Sequence, residues 1–337
     1  MNDDTRDIYL WDRTGEPDPE IARLEELLAP LGHQAPLQPL PAREPRRRRP
    51  LRFAGRVLSA AAALVVGFGL WFVLGGLRGA WTVEGLEGAP LVDGVAVAAD
   101  GVLRRGGQLV TDAVSRAQID VGRIGRVVVD PESRVALVAS GVREHRLSLE
   151  RGTIHARIWA PPRFFFVNTP FAETIDLGCA FTLQVADDGA GLVRVTHGWV
   201  QFAHGGREAY IPQGAVGTTR PGAGPGTPRY EDAPAGFAAA LDTLDYGQAD
   251  AGARGAALDY LLAHARSQDA LTLWHLLSRG APDERARVFA HLAAVAPPPA
   301  GVTRDAVLAG DRQALDRWWD SFRFEGTSFW GRLKKRF

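Results

Sequence analysis

The sequence holds one cysteine, Cys179, and eight histidines. A single thiol forms no internal disulfide and builds no thiolate zinc site. No two histidines stand at metal-ligand spacing or in an HExxH run. Glu173 and Asp176 precede Cys179, but two carboxylates without a partner describe a solvated face before they describe an acid–base pair. The run Gly222-Ala223-Gly224-Pro225-Gly226-Thr227 is glycine-rich, yet it lacks the lysine, preceding strand and helix start that a phosphate loop needs. GxSxG, His-x-Glu with Cys-x-x-Cys, and kinase-type loops are all missing from the sequence. The expectation is therefore no enzyme, no metal and no cofactor. The chemistry left is that of surfaces: apolar side chains that meet a partner, and arginines that meet a membrane.

The first such surface is at the N-terminus. Up to Leu31 the chain carries nine carboxylates and three arginines. Two short helices are expected there. One covers about 4–13 with Ile8, Tyr9 and Trp11; the other is capped at Asp18 with Pro19 at its first position. Ile21, Leu24, Leu28 and Leu31 form one stripe at helical spacing. So few apolar side chains cannot bury a core of their own. An apolar stripe on an acidic background suits a basic protein partner, with Tyr9, Trp11, Ile21, Leu24 and Leu28 as the contacts. Residues 1–33 are thus read as a partner-binding segment, and 34–56, rich in Pro, Ala and Arg, as a linker.

The second surface follows. Residues 57–77 run without a charge, about 21 residues, enough to cross roughly 30 Å of hydrocarbon as a helix. Arg46, Arg47, Arg48 and Arg49 crowd the side before this run, and only Arg78 lies close behind it. Arginine stays on the cytoplasmic side, so the expectation is a single transmembrane helix in a lipid bilayer with the N-terminus inside. Ser59, Ala63 and Gly67 recur every four residues. That stripe either packs two copies into a homodimer or is ordinary small-residue content.

Length and composition support a mostly globular chain of two or three domains: 337 residues, 46% hydrophobic, 23% charged. Basic and acidic residues balance at 39 each, which argues against a nucleic-acid partner. Beyond the apolar run the pattern turns to period two. Ile154, Ala156 and Ile158 alternate with Thr153, His155 and Arg157, and Phe181, Leu183 and Val185 with Thr182, Gln184 and Ala186. Turn signals such as Asp93-Gly94 and Asp130-Pro131 fall at short intervals. Residues 81–216 are expected to be all-β, a sandwich or a solenoid. Residues 217–231 read as a Gly/Pro-rich linker, 232–323 as a helical domain and 324–337 as an aromatic and basic tail. The fold class is multi-domain: one transmembrane helix, an all-β domain and a C-terminal helical domain.

Several short runs in this β region occur in a particular order. They are Gly106-Gly107-Gln108-Leu109-Val110-Thr111, Asp130-Pro131-Glu132-Ser133, Leu147 to Gly152, Phe166-Val167-Asn168-Thr169-Pro170, Leu177-Gly178-Cys179-Ala180-Phe181 and Val195-Thr196-His197-Gly198-Trp199-Val200. In that order, over about 120 residues, they resemble the FecR domain, the extracytoplasmic β domain of bacterial transmembrane sigma-factor regulators. Gly107, Thr111, Pro131, Ser133, Gly152, Thr169, Pro170, Gly178 and Gly198 are the matching positions, and they read as structural. Cys179 stands where the family commonly has threonine and is expected to be a buried, inert thiol. The resemblance implies an anti-sigma factor in the bacterial inner membrane. Its cytoplasmic segment would hold an extracytoplasmic-function (ECF) sigma factor, and its periplasmic part would meet an unidentified protein or ligand. The best-known members of that family end in a domain that docks onto an outer-membrane transporter; no such domain is expected from these residues. The alternative is an envelope scaffold, a membrane-anchored periplasmic binding module with no sigma partner.

Overall fold

The computed structural model describes residues 18–31 and 79–322. The chain divides into two compact units, Met1–Ala63 and Leu64–Phe337. The described part of the first is a single helix, α1 (Pro19–Leu28), continued by a 3-10 turn, Ala29–Leu31. Asp18 caps it by accepting the backbone N–H of Glu20 at 2.9 Å, and Pro19 fills the first turn, where no N–H partner is required.

The described part of the second unit opens with eighteen strands. They are β1 (Ala80–Glu87), β2 (Leu91–Val92), β3 (Val95–Ala96), β4 (Asp100–Arg104), β5 (Gln108–Val110), β6 (Arg116–Val121), β7 (Gly125–Val129), β8 (Arg134–Ser140) and β9 (His145–Ile158). After these come β10 (Phe165–Thr169), β11 (Ala172–Asp176), β12 (Ala180–Val185), β13 (Gly191–His197), β14 (Trp199–His204), β15 (Arg207–Pro212), β16 (Ala215–Arg220), β17 (Gly224–Pro225) and β18 (Arg229–Tyr230). One sheet runs β4-β1-β6-β7-β9-β12-β13-β16, with β17 and β18 on β16. The other runs β3-β2-β5-β8-β9-β10-β11-β14-β15. Alternation explains the layering. Along β6, Ala117, Ile119 and Val121 are buried while Arg116, Gln118 and Asp120 face outward. Inward side chains of both sheets share one core, so the arrangement is a sandwich.

Strand β9 belongs to both sheets. Its first half pairs with β8 and β10, and its second half, from Gly152, pairs with β7 and β12. Seven helical segments of at least five residues are described in all; six follow the sandwich. These are α2 (Ala235–Asp245), α3 (Ala251–His264), α4 (Ala270–Arg279), α5 (Pro282–Val295), α6 (Arg304–Leu308) and α7 (Arg312–Ser321). They are not a detached domain, because their buried residues continue the same hydrophobic cluster.

Two expectations need correction. The fold class inferred from sequence included a membrane-crossing helix, but among the described residues no helix is long and apolar enough to cross a membrane. The longest, α3 and α5, have 14 residues each, about 21 Å of helix against roughly 30 Å of hydrocarbon. The fold described is a β-sheet core over 80–230 followed by C-terminal helices. The stretch 57–77 and Arg46, Arg47, Arg48 and Arg49 lie outside the described residues, as does the tail 324–337. Second, residues 217–231, read as a linker, contain the end of β16 and all of β17 and β18. Gly224 and Pro225 are buried there, since a two-residue edge pairing tolerates glycine and proline.

Candidate functional site

Helix α1 has ten residues and none of them is buried. Leu24, Leu27 and Leu28 are 56%, 67% and 57% exposed, and Ile21 is half-buried. Ile21, Leu24 and Leu28 share one face through their three- and four-residue spacing. Leu27 widens that face, which the stripe read from the sequence omitted. By helical rotation Glu20 and Glu25 border that face, Glu26 points away from it and Arg23 stands beside Leu27. A ten-residue helix is marginal in water by itself, and covering three leucines is worth about 1.5–3 kcal/mol each. Such a surface gains most from a partner that supplies an apolar groove with a basic rim. Tyr9 and Trp11, the other expected contacts, lie outside the described residues.

Six of the nine motif positions named above gather in the sandwich as two nodes. In the first, the Thr111 hydroxyl donates to the Asp130 carbonyl at 2.7 Å and accepts the Ser133 N–H at 2.9 Å. The Ser133 hydroxyl accepts the Thr153 N–H at 2.9 Å and donates to the Pro131 carbonyl at 3.2 Å. Thr111 and Ser133 are 3% and 1% exposed, so these bonds replace water that cannot reach them. Gly152 closes the node. Its φ is +96°, and a Cβ there would lie 2.5 Å from Ser133 Cβ and closer still to its Cα and Oγ. Glycine is what lets β9 pass from one sheet to the other over the Asp130–Ser133 turn.

The second node holds Asp176, Gly178, Cys179 and Gly198. Asp176, expected on a solvated face, is instead fully buried: its carboxylate accepts N–H bonds from Gly178 at 3.0 Å and Cys179 at 3.1 Å, and the Cys179 thiol donates to it as well. A Cβ on Gly198, whose φ is +73°, would stand 3.1 Å from Cys179 Cα and overlap the Gly178 carbonyl. Burial pushes the Asp176 carboxyl up to about 6, against the pull of its three donors, and pushes the Cys179 thiol well above its usual range. The thiol is thereby inert as a nucleophile. Elsewhere, Gly107 packs against the Asp93 carboxylate, which accepts the Gln108 N–H at 2.8 Å. The Thr169 hydroxyl closes the Pro170 turn by donating to the Ala172 carbonyl at 2.9 Å.

The raised Asp176 value has a sign. The unfolded group titrates near 3.8 and the folded one near 6, so the folded state keeps its proton over that window. The contribution to stability is full below about 3.8 and is lost as pH rises through about 6. Chemical denaturation of wild type and Asp176→Asn at pH 7.5 and pH 5 should therefore diverge. The wild type gains about 1.4 kcal/mol relative to the variant on acidification. A difference independent of pH would contradict this.

One polar line on the outer sheet face has the composition of a catalytic relay. His155 Nε2 lies 2.7 Å from Asp130 Oδ2, and His155 Nδ1 lies 2.9 Å from the Thr182 hydroxyl. Arg116 holds the far carboxylate oxygen at 2.9 Å. Thr182 and His155 are directly paired across β12 and β9, so register alone places them side by side. The sequence showed both residues as outward-facing; their contact with Asp130 follows from a pairing between β7 and β9 that periodicity does not reveal. Among the described residues no group of three or more His, Cys, Asp or Glu side chains could hold a metal ion.

Where helices meet sandwich, the contact is aromatic and then ionic. Trp319 lies 6.0 Å from Trp199, 5.7 Å from Tyr210 and 4.5 Å from Trp274 between ring centroids. His275, 1% exposed, accepts the Tyr210 N–H at Nε2 (3.0 Å), and its Nδ1 faces the Leu271 carbonyl at 2.9 Å. One ring nitrogen accepts while the other donates, so the geometry requires a neutral imidazole. Beside it, Asp245 accepts from Arg207 at 3.2 Å, Arg279 at 3.4 Å and the Thr227 hydroxyl at 3.0 Å.

No family model and no curated protein matches this chain. Among solved structures, the chain is similar to two crystal structures of a candidate anti-sigma factor from Parabacteroides distasonis. Each is 16% identical with a TM-score of 0.33, and each alignment covers 40% of this chain. The chain spans 63% and 62% of those two chains, under two thirds of their length. Similarity at this level assigns neither family nor activity.

Proposed function

We propose that this chain is a FecR-like regulator of the anti-sigma type. The apolar face of α1 holds an ECF sigma factor, and the sandwich with its docked helices is the body that receives the signal. The observation that carries the reading is α1 itself, a capped helix with no buried residue that presents Ile21, Leu24 and Leu28 on one face among carboxylates. Sigma factors must offer basic surfaces to DNA, so an acidic helix with an apolar stripe can compete for such a surface. The ordered motifs from Gly107 to Gly198 support the family side of the proposal. In the structure they tie strands together.

The test is co-purification. The full chain used as bait should recover a sigma factor from the cell that makes both. Leu24→Asp combined with Leu28→Asp should lose it, because two charges on the contact face replace two apolar anchors. Recovery of no sigma factor by the wild type would remove the proposal and leave the scaffold reading.

A further inference from the structure

Between the β14–β15 turn and helices α4, α5 and α7 lies a cavity of about 290 Å³. Its wall contains four arginines, Arg207, Arg279, Arg285 and Arg312, against two carboxylates, Glu208 and Asp316. Glu208 is already engaged by the Tyr210 hydroxyl at 2.9 Å. Arg207 and Arg279 share one carboxylate, Asp245, just behind the wall. Among the described residues no carboxylate pairs with Arg285. Its two terminal nitrogens donate to the carbonyls of Leu308 at 2.9 Å and Gly280 at 3.2 Å, and its buried Nε has no hydrogen-bond partner. Arg312 opens the chain of α7 at the mouth of the cavity and is exposed. Trp274, Leu277 and Leu315 supply an apolar side.

Counting Asp245, four guanidinium groups stand against three carboxylates, so one anion in the cavity would balance the remaining positive charge and accept guanidinium N–H bonds. We infer that this cleft is a binding site for a small organic anion. Its carboxylate or phosphoryl group would lie against Arg285 and Arg312, and its apolar part against Trp274 and Leu315. The volume stands at the lower end of ligand pockets, which fits a single-ring compound rather than a nucleotide. Guanidinium groups suit both oxyanions, since each presents paired oxygens to the planar fork. The site is distinct from α1, so it stands whether or not a sigma factor is the partner.

The purified full chain is titrated by calorimetry at low ionic strength with phenyl phosphate, benzoate and inorganic phosphate. Saturable one-to-one binding of at least one of them is expected. Preference between the two ring compounds then assigns the phosphoryl or the carboxylate source. Arg312→Glu, on an exposed residue, should weaken binding by about tenfold or more, and Arg285→Gln should weaken it at least as much. Arg126→Glu, an exposed arginine on β7, should leave it unchanged. Failure of all three anions to saturate overturns the inference. So does a loss in Arg126→Glu equal to that in Arg312→Glu, which would mark general charge attraction.

Discussion

Gly152→Ala is expected to destabilise the protein by about 4 kcal/mol, whereas Gly106→Ala costs only about 1–2 kcal/mol. Both glycines have positive φ, +96° and +84°, so both substitutions pay for backbone strain. They differ in what the new methyl meets. At Gly106 nothing lies within 4 Å, but at Gly152 the methyl overlaps the backbone and side chain of Ser133. Ser133 cannot step aside, because its N–H is held by Thr111 and its hydroxyl by Thr153. The collision therefore separates β9 from the Asp130–Ser133 turn at the point where the two sheets join. Against a domain stability of 5–15 kcal/mol, the loss is large. Guanidinium denaturation of the two variants beside wild type measures it, and equal midpoints for both would refute the role given to Ser133.

Trp319→Ala is the second large effect, about 3–5 kcal/mol. The side chain is 5% exposed and touches aromatic rings on both sides of the junction, Trp199 and Tyr210 of the sandwich and Trp274 of α4. Neighbouring Trp318 is equally buried, but it packs on Phe289 and donates to the Ala296 carbonyl, all within the helical layer. Trp318→Ala should thus loosen helix packing. Trp319→Ala should also free the helices from β14 and β15. Limited proteolysis distinguishes them: new cleavage after Tyr230, between sandwich and helices, is expected for Trp319→Ala. The same pattern in both variants would mean that docking does not depend on this ring.

The all-β core was largely legible because half-buried strands write themselves as alternation, whereas the choice between sandwich and solenoid needed the pairing of the strands. Ile154-Ala156-Ile158 and Phe181-Leu183-Val185 are all buried in β9 and β12, as their period implies. The sheet exchange at Gly152 was not legible. Period two continues through the bend, and only the close approach of Ser133 makes that glycine necessary. The edge strands at 217–230 were missed because Gly and Pro enrichment is a loop signal, and short edge pairing overrides it. Helix α2 carries its buried Phe237, Ala240 and Leu241 in an alanine-rich run whose stripe is too faint to detect. The candidate partner face was legible in part. Ile21, Leu24 and Leu28 were visible as a stripe, but Leu27 joins them only once the helix is seen to bury none of its residues. The arginine cleft left no trace in the sequence, because residues 207, 279, 285 and 312 meet only through the docking of helices on β15.

The account rests on the face of α1, and a binding titration tests it most directly. The purified full chain, wild type and with Leu24→Asp plus Leu28→Asp, is titrated into the labelled ECF sigma factor of the same cell. Saturable binding by the wild type is predicted, weakened at least about 100-fold in the double variant, because losing two leucines that the partner would cover costs about 3 kcal/mol or more. The denaturation midpoint of the body should not move. Equal affinity of the two proteins, or no binding by either, would contradict the account.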